Sequence, residues 1–140
     1  MARKQSVLEG VGLRKLLNNF FQGKTILVTG HTGFKGSWLS IWLRELGAKV
    51  IGYALEPYTN EDNFVTAKLS SKMISNIGDI RDYEALKRVF YEYQPEIVFH
   101  MAAQPLVRFS YQQPKLTFDT NIVWPEIPRA RIPFPVSIHF

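Results

Sequence analysis

Gly30, Gly33 and Gly36 stand three residues apart, directly after the apolar run Ile26-Leu27-Val28 and before a stretch rich in Trp and Leu. That combination can hold a phosphate. Gly30 lets the chain leave a buried strand through a turn that a Cβ would obstruct. Gly33 lets the backbone approach a pyrophosphate, and Gly36 lets the next helix pack closely on the strand. The first N–H groups of that helix have no intrahelical acceptor, and with the positive end of the helix dipole they face the anion. Glycines this close together also serve as plain turns, so the reading rests on the strand before and the helix after.

Other candidate chemistry lies further along. A dinucleotide site commonly uses an acidic residue at the end of the second strand to hold the ribose hydroxyls. Here Tyr53 and Ala54 occupy that place, and the nearest carboxylate is Glu56, twenty residues beyond Gly36, for which a solvated loop position is an equal reading. No arginine stands there to receive a 2′-phosphate, which favours NAD over NADP. In Gly78-Asp79-Ile80-Arg81-Asp82, Asp79 sits at a strand's carboxyl end and can accept from an adenine amino group, whereas Asp82 reads as a helix N-cap. The small side chains of Met101-Ala102-Ala103-Gln104 permit close contact with a flat ligand. His31 and His100 border the same cleft and read as hydrogen-bonded structural groups rather than catalysts. No spacing of His with Asp or Glu suggests a metal site.

These residues need strands and helices to bring them together. The sequence predicts strands at Ile26 to Val28, Lys49 to Ala54, Met73 to Ile77 and Glu96 to His100. Between them it predicts a helix ending at Gly47, a short helix from Phe64 to Leu69 and a helix from Tyr83 to Tyr93 that Pro95 stops. Strand alternating with helix implies an α/β fold, a partial Rossmann-like doubly wound parallel sheet of about four strands. Trp38, Ile41 and Trp42 on one stripe and Leu39, Leu43 and Leu46 on the next make the first of these helices apolar around much of its circumference, which predicts burial between the sheet and a neighbour.

The chain has 140 residues, no cysteine and 46% hydrophobic residues, a globular composition compatible with a reducing cytoplasm. No signal-type run opens it and no stretch approaches the length of a membrane span. Its net charge of +5 divides into +4 for residues 1–24, zero for 25–121 and +1 beyond. The basicity is an end effect, and a solvated leader explains it better than a nucleic-acid site, because no aromatic residues interleave with basic ones on a folded surface.

In Gly30-His-Thr-Gly-Phe-Lys-Gly-Ser-Trp-Leu39, Gly78-Asp-Ile-Arg-Asp82 and His100-Met-Ala-Ala-Gln-Pro-Leu-Val-Arg108 the chain resembles the extended short-chain dehydrogenase/reductases, and among them the CDP-glucose 4,6-dehydratases. The likeness runs from Gly23 to about Val123. It implies a lyase that works on a nucleotide sugar, CDP-glucose, with bound NAD: hydride leaves C4 of the hexose, water is lost across C5 and C6, and hydride returns to C6. Carried over by position, it implies that Gly30, Thr32, Gly33, Phe34, Lys35 and Gly36 surround the pyrophosphate and that Asp79 and Ile80 meet the adenine. Ala102, Ala103 and Gln104 would line the central cofactor. Asn121 would steady a proton relay, and Arg108 would lie toward the sugar nucleotide. Intact members are oligomeric.

The likeness implies a domain order of a basic leader over 1–23, a partial NAD-binding domain over 24–123 and a tail over 124–140. In that tail Pro125, Pro128, Pro133 and Pro135 forbid the long helix of the family. The expectation is a chain without the family's downstream Tyr-x-x-x-Lys pair and sugar-nucleotide domain, inactive by itself, whose reading frame was disrupted or fused near codon 123. The two Tyr-x-x-x-Lys matches present, Tyr83 with Lys87 and Tyr111 with Lys115, read as chance: the first lies on the adenine half, and Pro114 interrupts the second. The fourth strand is then expected to be a bare edge, because prolines lack the N–H groups of a replacement strand, and the chain to self-associate.

Overall fold

The structure, a computed structural model, describes residue 17, residues 19–121 and residues 136–139. Its centre is β1 (Thr25–Thr29), in which Ile26, Leu27, Val28 and Thr29 are all buried. A strand with consecutive buried residues has to be covered on both faces. Two helices do this. Leu27 packs with Ile51, Tyr53 and Val98 against Leu86, Val89 and Phe90 of one helix, α3 (Tyr83–Tyr93). Ile26 and Val28 pack with Val50, Ile97 and Phe99 against Leu43 of α1 (Phe34–Glu45) on the opposite face.

Beside β1 lie β2 (Lys49–Ala54) and β4 (Ile97–His100), with β3 (Ile74–Ile77) beyond β2. Thr25 pairs with Lys49, Ile26 with Ile97 and Ile51 with Ile74, all in parallel register. A short helix, α2 (Asn63–Thr66), and a 3-10 turn over Leu69–Ser71 replace the single helix expected from Phe64 to Leu69, because Lys68 takes a left-handed conformation (φ 52°) between them. Asp82 caps α3 as expected, its Oδ1 accepting from the Ala85 N–H at 3.0 Å. Gln94 ends that helix in a left-handed conformation one residue ahead of Pro95. After β4 come α4 (Val107–Gln112) and α5 (Pro114–Asn121).

The sheet has a fifth strand where the sequence suggested a bare edge. β5 (Val136–His139) pairs in parallel with β4, Ile97 opposite Val136 and His100 opposite His139. The proline run stops at Pro135, and the four residues after it each keep an N–H. The rest of the tail, residues 122–135, and most of the leader lie outside the described residues, as do the leader's Leu8, Leu13 and Leu16. The expected burial of α1 on both sides is also overturned. Gly36, Ser40 and Leu43 form its inward strip, while Phe34, Trp38 and Trp42, each one turn after the last, face solvent at 75%, 54% and 57% exposure. Among the described residues no helix is long and apolar enough to cross a membrane, and no cluster of His, Asp and Glu could hold a metal ion.

Candidate functional site

All the strands run in one direction, so their carboxyl ends open on the same side, and there the loops enclose a cleft of about 250 Å³. Gly30, Thr32 and Gly33 come from the end of β1, and Leu55, Glu56 and Tyr58 from the end of β2. Gly78 to Arg81 follow β3, and Met101 to Gln104 follow β4. Phe109 of α4 and Leu116 and Thr120 of α5 form the far wall.

The glycine turn is built from backbone approaches that side chains would forbid. Gly30 has φ 71°, and a Cβ there would stand 2.7 Å from the backbone of Met101 and Ala102. A Cβ on Gly36 would lie 2.1 Å from the Gly30 carbonyl oxygen, so this glycine serves packing inside the turn. At Gly33 a Cβ would meet only that same oxygen, at an ordinary 3.4 Å, and the position faces the cleft. Gly33 also begins α1: Ser37 N–H donates to its carbonyl at 2.9 Å, which leaves the N–H groups of the first turn without intrahelical acceptors.

Side chains anchor the turn to the sheet. Thr32 Oγ1 donates to the Leu55 carbonyl at 2.9 Å. His31 is fully buried, with Nε2 2.7 Å from Ser75 Oγ, its ring edge-on to Phe64, and Gly52 beneath it where a Cβ would come within 2.4 Å of the ring. Burial lowers the His31 pKa to about 4, an effect that the Tyr53 backbone offsets only in part, and the buried Nδ1 has no hydrogen-bond partner. The imidazole is therefore neutral, a structural group as its sequence position suggested.

Thr29 does similar work on the other side. Its Oγ1 accepts from the N–H groups of Met101 at 3.1 Å and Ala102 at 3.3 Å, and lies 2.7 Å from His100 Nδ1. The sequence reading missed Thr29, although a Thr directly before the first glycine was its visible signal.

The loop after β3 is equally constrained. Tyr53 Oη donates to the Asp79 carbonyl at 2.9 Å, and its ring fills the place of a side chain at Gly78. Burial raises the Tyr53 pKa, and the nearby carboxylates of Asp82 and Asp79 add to the shift. The Arg81 side chain bonds the Asp79 carboxylate and holds its pKa below the ordinary range.

Of the residues singled out in the sequence, Gly30, Thr32, Gly33, Asp79, Ile80, Ala102, Ala103 and Gln104 line the one cleft, joined by Glu56. Phe34 and Lys35 are exposed and off its wall. Asn121 acts through Gln104: its Oδ1 accepts from the Gln104 N–H at 2.7 Å and its Nδ2 donates to the Gln104 carbonyl at 3.1 Å. Arg108 is exposed on α4 and does not line the cleft. Neither Tyr-x-x-x-Lys match faces the cleft as a pair: the Lys87 ammonium lies 5.5 Å from the Tyr83 ring centroid on α3, but neither residue lines the cleft, and α4 ends at Gln112, between Tyr111 and Lys115.

Comparison with known proteins agrees with this architecture. The chain is 60% identical over 105 residues to the CDP-glucose 4,6-dehydratase of Salmonella typhimurium, an alignment covering 75% of this chain and 29% of that protein. Among solved structures, an epimerase of Methanothermobacter thermautotrophicus superposes with a TM-score of 0.66 at 32% identity, over 79% of this chain and 32% of that one. The UDP-glucose 4-epimerase of Thermus thermophilus, solved in complex with NAD, superposes with a TM-score of 0.62 at 30% identity, over 71% of this chain and 30% of that one. The chain thus spans about 30% of the length of these relatives. Residues 27–124, more than half of the chain, match the GDP-mannose 4,6 dehydratase family, and the chain belongs to that family.

Proposed function

We propose that this chain is the adenosine-diphosphate-binding part of an NAD-dependent nucleotide-sugar dehydratase acting on CDP-glucose, and that by itself it binds the dinucleotide without turning over sugar. One observation carries the reading: the glycine turn and the Asp79-Ile80 loop open into a single cleft at the carboxyl ends of four parallel strands. The residues present fit the group. Gly33 leaves its side of the turn open to a pyrophosphate, and the uncapped N–H groups at the start of α1 complement its charge. Asp79, held ionised, is an acceptor for the adenine amino group beside the apolar Ile80. Glu56 at the rim suits free ribose hydroxyls and repels a 2′-phosphate, which selects NAD over NADP.

Phe34, Lys35 and Gly36 complete the pyrophosphate turn in this reading, and Ala102, Ala103 and Gln104 hold the middle of the cofactor. Asn121 keeps Gln104 in place, as the proton-relay asparagine of the resemblance, and Arg108 belongs to the sugar-nucleotide side. When bound, NAD supplies the hydride acceptor for hexose C4 and the donor for C6. The identity of 60% to a CDP-glucose 4,6-dehydratase supports the substrate. A tyrosine and lysine one helical turn apart, facing the cleft, would be needed to move the proton of the C4 hydroxyl, and neither pair here reaches it. The domain order of leader, dinucleotide domain over 24–123 and tail belongs to the same proposal, as does a cytoplasmic location for this cysteine-free chain.

Calorimetric titration of NAD into the full chain and into Gly33→Val tests the reading. The expected result is saturable binding that the valine abolishes in a folded variant, since its side chain would occupy the place of the pyrophosphate. Unchanged affinity in that variant, or no binding by the parent, would overturn it. Incubation with CDP-glucose and NAD is expected to give no 4-keto product, scored by absorbance in alkali.

A further inference from the structure

The loop after β3 carries a second charged group beside Asp79. Arg81 lies two residues after Asp79, and both line the cleft. Its backbone N–H donates to Asp79 Oδ1 at 2.9 Å and its Nε reaches the same oxygen at 2.9 Å, with a longer branch to Oδ2 at 3.1 Å. A terminal guanidinium nitrogen donates to Oδ2 at 2.5 Å. A carboxylate offers about four lone-pair sites. Three hydrogens make these contacts, the Nε–H being shared between the two oxygens, so about one acceptor direction of the carboxylate stays open.

The rest of the loop cannot swing to offer another. The Asp79 carbonyl accepts from Tyr53 Oη at 2.9 Å and from the Asp82 N–H at 3.0 Å, and the Tyr53 ring closes the space over Gly78. As a contributor to stability this ion pair is ordinary: both side chains are partly exposed, and such pairs add little. Its geometry is unusual for a surface pair, because three hydrogens from one residue converge on the carboxylate of a residue that lines the cleft.

We infer that Arg81 sets the base specificity of this cleft: it fixes the Asp79 carboxylate as a one-site acceptor, which selects a purine with a 6-amino group over one with a 6-oxo group. An exocyclic amino group donates to the open side of the carboxylate. A carbonyl at the same position sets oxygen against a carboxylate that has no proton to give, and the N1–H of such a base lies beside that position, where a fixed acceptor is not aimed. Arg81 is a positioning residue in this scheme, acting on the base through Asp79. With a neutral side chain at 81, Asp79 keeps its charge near pH 7 and gains rotamer freedom, so it can turn from a mismatched base toward water.

The inference rests on the dinucleotide reading above, and its test separates the two. NAD and nicotinamide hypoxanthine dinucleotide, which differ in that 6-substituent and in the proton that hypoxanthine carries on the adjoining N1, are titrated into the full chain, Arg81→Ala and Arg81→Lys at neutral pH. The parent chain is expected to prefer NAD by about tenfold or more, the worth of one charge-assisted hydrogen bond. Arg81→Ala is expected to bind NAD several-fold more weakly and to discriminate about threefold or less. Arg81→Lys, with the charge but not the fork, should fall between. Because the pair is partly exposed, both variants should melt close to the parent. Arg81→Ala that keeps the parent's discrimination, or that loses both dinucleotides in proportion, would show a merely structural role and overturn the inference, and so would a parent that binds both equally. A parent that binds neither would overturn the dinucleotide reading and this inference with it.

Discussion

Two walls face each other across the cleft and are held in different ways. The wall made by the ends of β1, β2 and β3 is fastened to the core. His31, Thr29 and Thr32 are buried and bonded, Tyr53 is buried under the Asp79 loop, and the glycines touch backbone. The opposite wall, α4 and α5, contains no buried residue, and Leu106, Val107, Tyr111 and Phe118 there are exposed. It is held by local bonds, such as those between Asn121 and Gln104 and between Gln104 Nε2 and Thr117. The side proposed for the adenosine is thus organised before any ligand arrives, whereas among the described residues the side proposed for the sugar is held by local hydrogen bonds. Preorganisation of only one wall favours binding a nucleotide over performing chemistry on a hexose.

That contrast can be broken most severely at Gly36. Gly36→Val drives a branched side chain into backbone atoms of Gly30 and His31 that cannot give way, and should destabilise the chain by about 3 kcal/mol or more, as measured by urea unfolding. A variant as stable as the parent would show that the turn is not rigid.

The next effect is pH-dependent. The folded His31 has a pKa of about 4 against 6.5 for a free imidazole, so between these values the unfolded chain binds a proton that the folded chain does not. Stability should fall as pH drops from about 6.5 to about 4, by about 3 kcal/mol in all. Asp79 works in a lower window: its depressed pKa makes a contribution that is present above the ordinary carboxylate range and lost as pH falls through the folded value. Unfolding midpoints at pH 7, 5.5 and 4.5 measure the first slope, and His31→Gln should flatten it. An equal slope in that variant would assign the acid sensitivity elsewhere.

On the looser wall the effects should shrink. Asn121→Ala removes both bonds to the Gln104 backbone and should cost about 1 kcal/mol, with faster amide exchange confined to residues near Gln104. Leu106→Ala, at an exposed position, should change stability by less than about 0.5 kcal/mol. A large loss from Leu106→Ala would mean that α4 is packed after all.

How far the sequence could be read follows the same division. The glycine turn, α3 with Asp82 as its cap, and the alternation of strands and helices were legible because each has a local cause: a required conformation, a capping side chain, an apolar period. Trp38 and Trp42 were misread because periodicity identifies an apolar stripe and cannot say whether anything covers it. β5 was not legible because the four residues of this strand follow a proline-rich run and their pairing with β4 is long-range. Thr29 and Arg81 escaped for a related reason, since one acts through a loop about seventy residues away and the other through a carboxylate whose free lone pair only the folded loop defines.

The most direct test of a preorganised adenosine side is to titrate ADP and NAD into the full chain by calorimetry under one set of conditions. ADP carries the adenine, ribose and pyrophosphate and lacks the nicotinamide half. If the fastened wall supplies nearly all the binding, ADP should bind within about tenfold of NAD, a difference of about 1.4 kcal/mol. Binding of NAD with no detectable binding of ADP would contradict the account, because the loose wall would then be the one that holds the ligand.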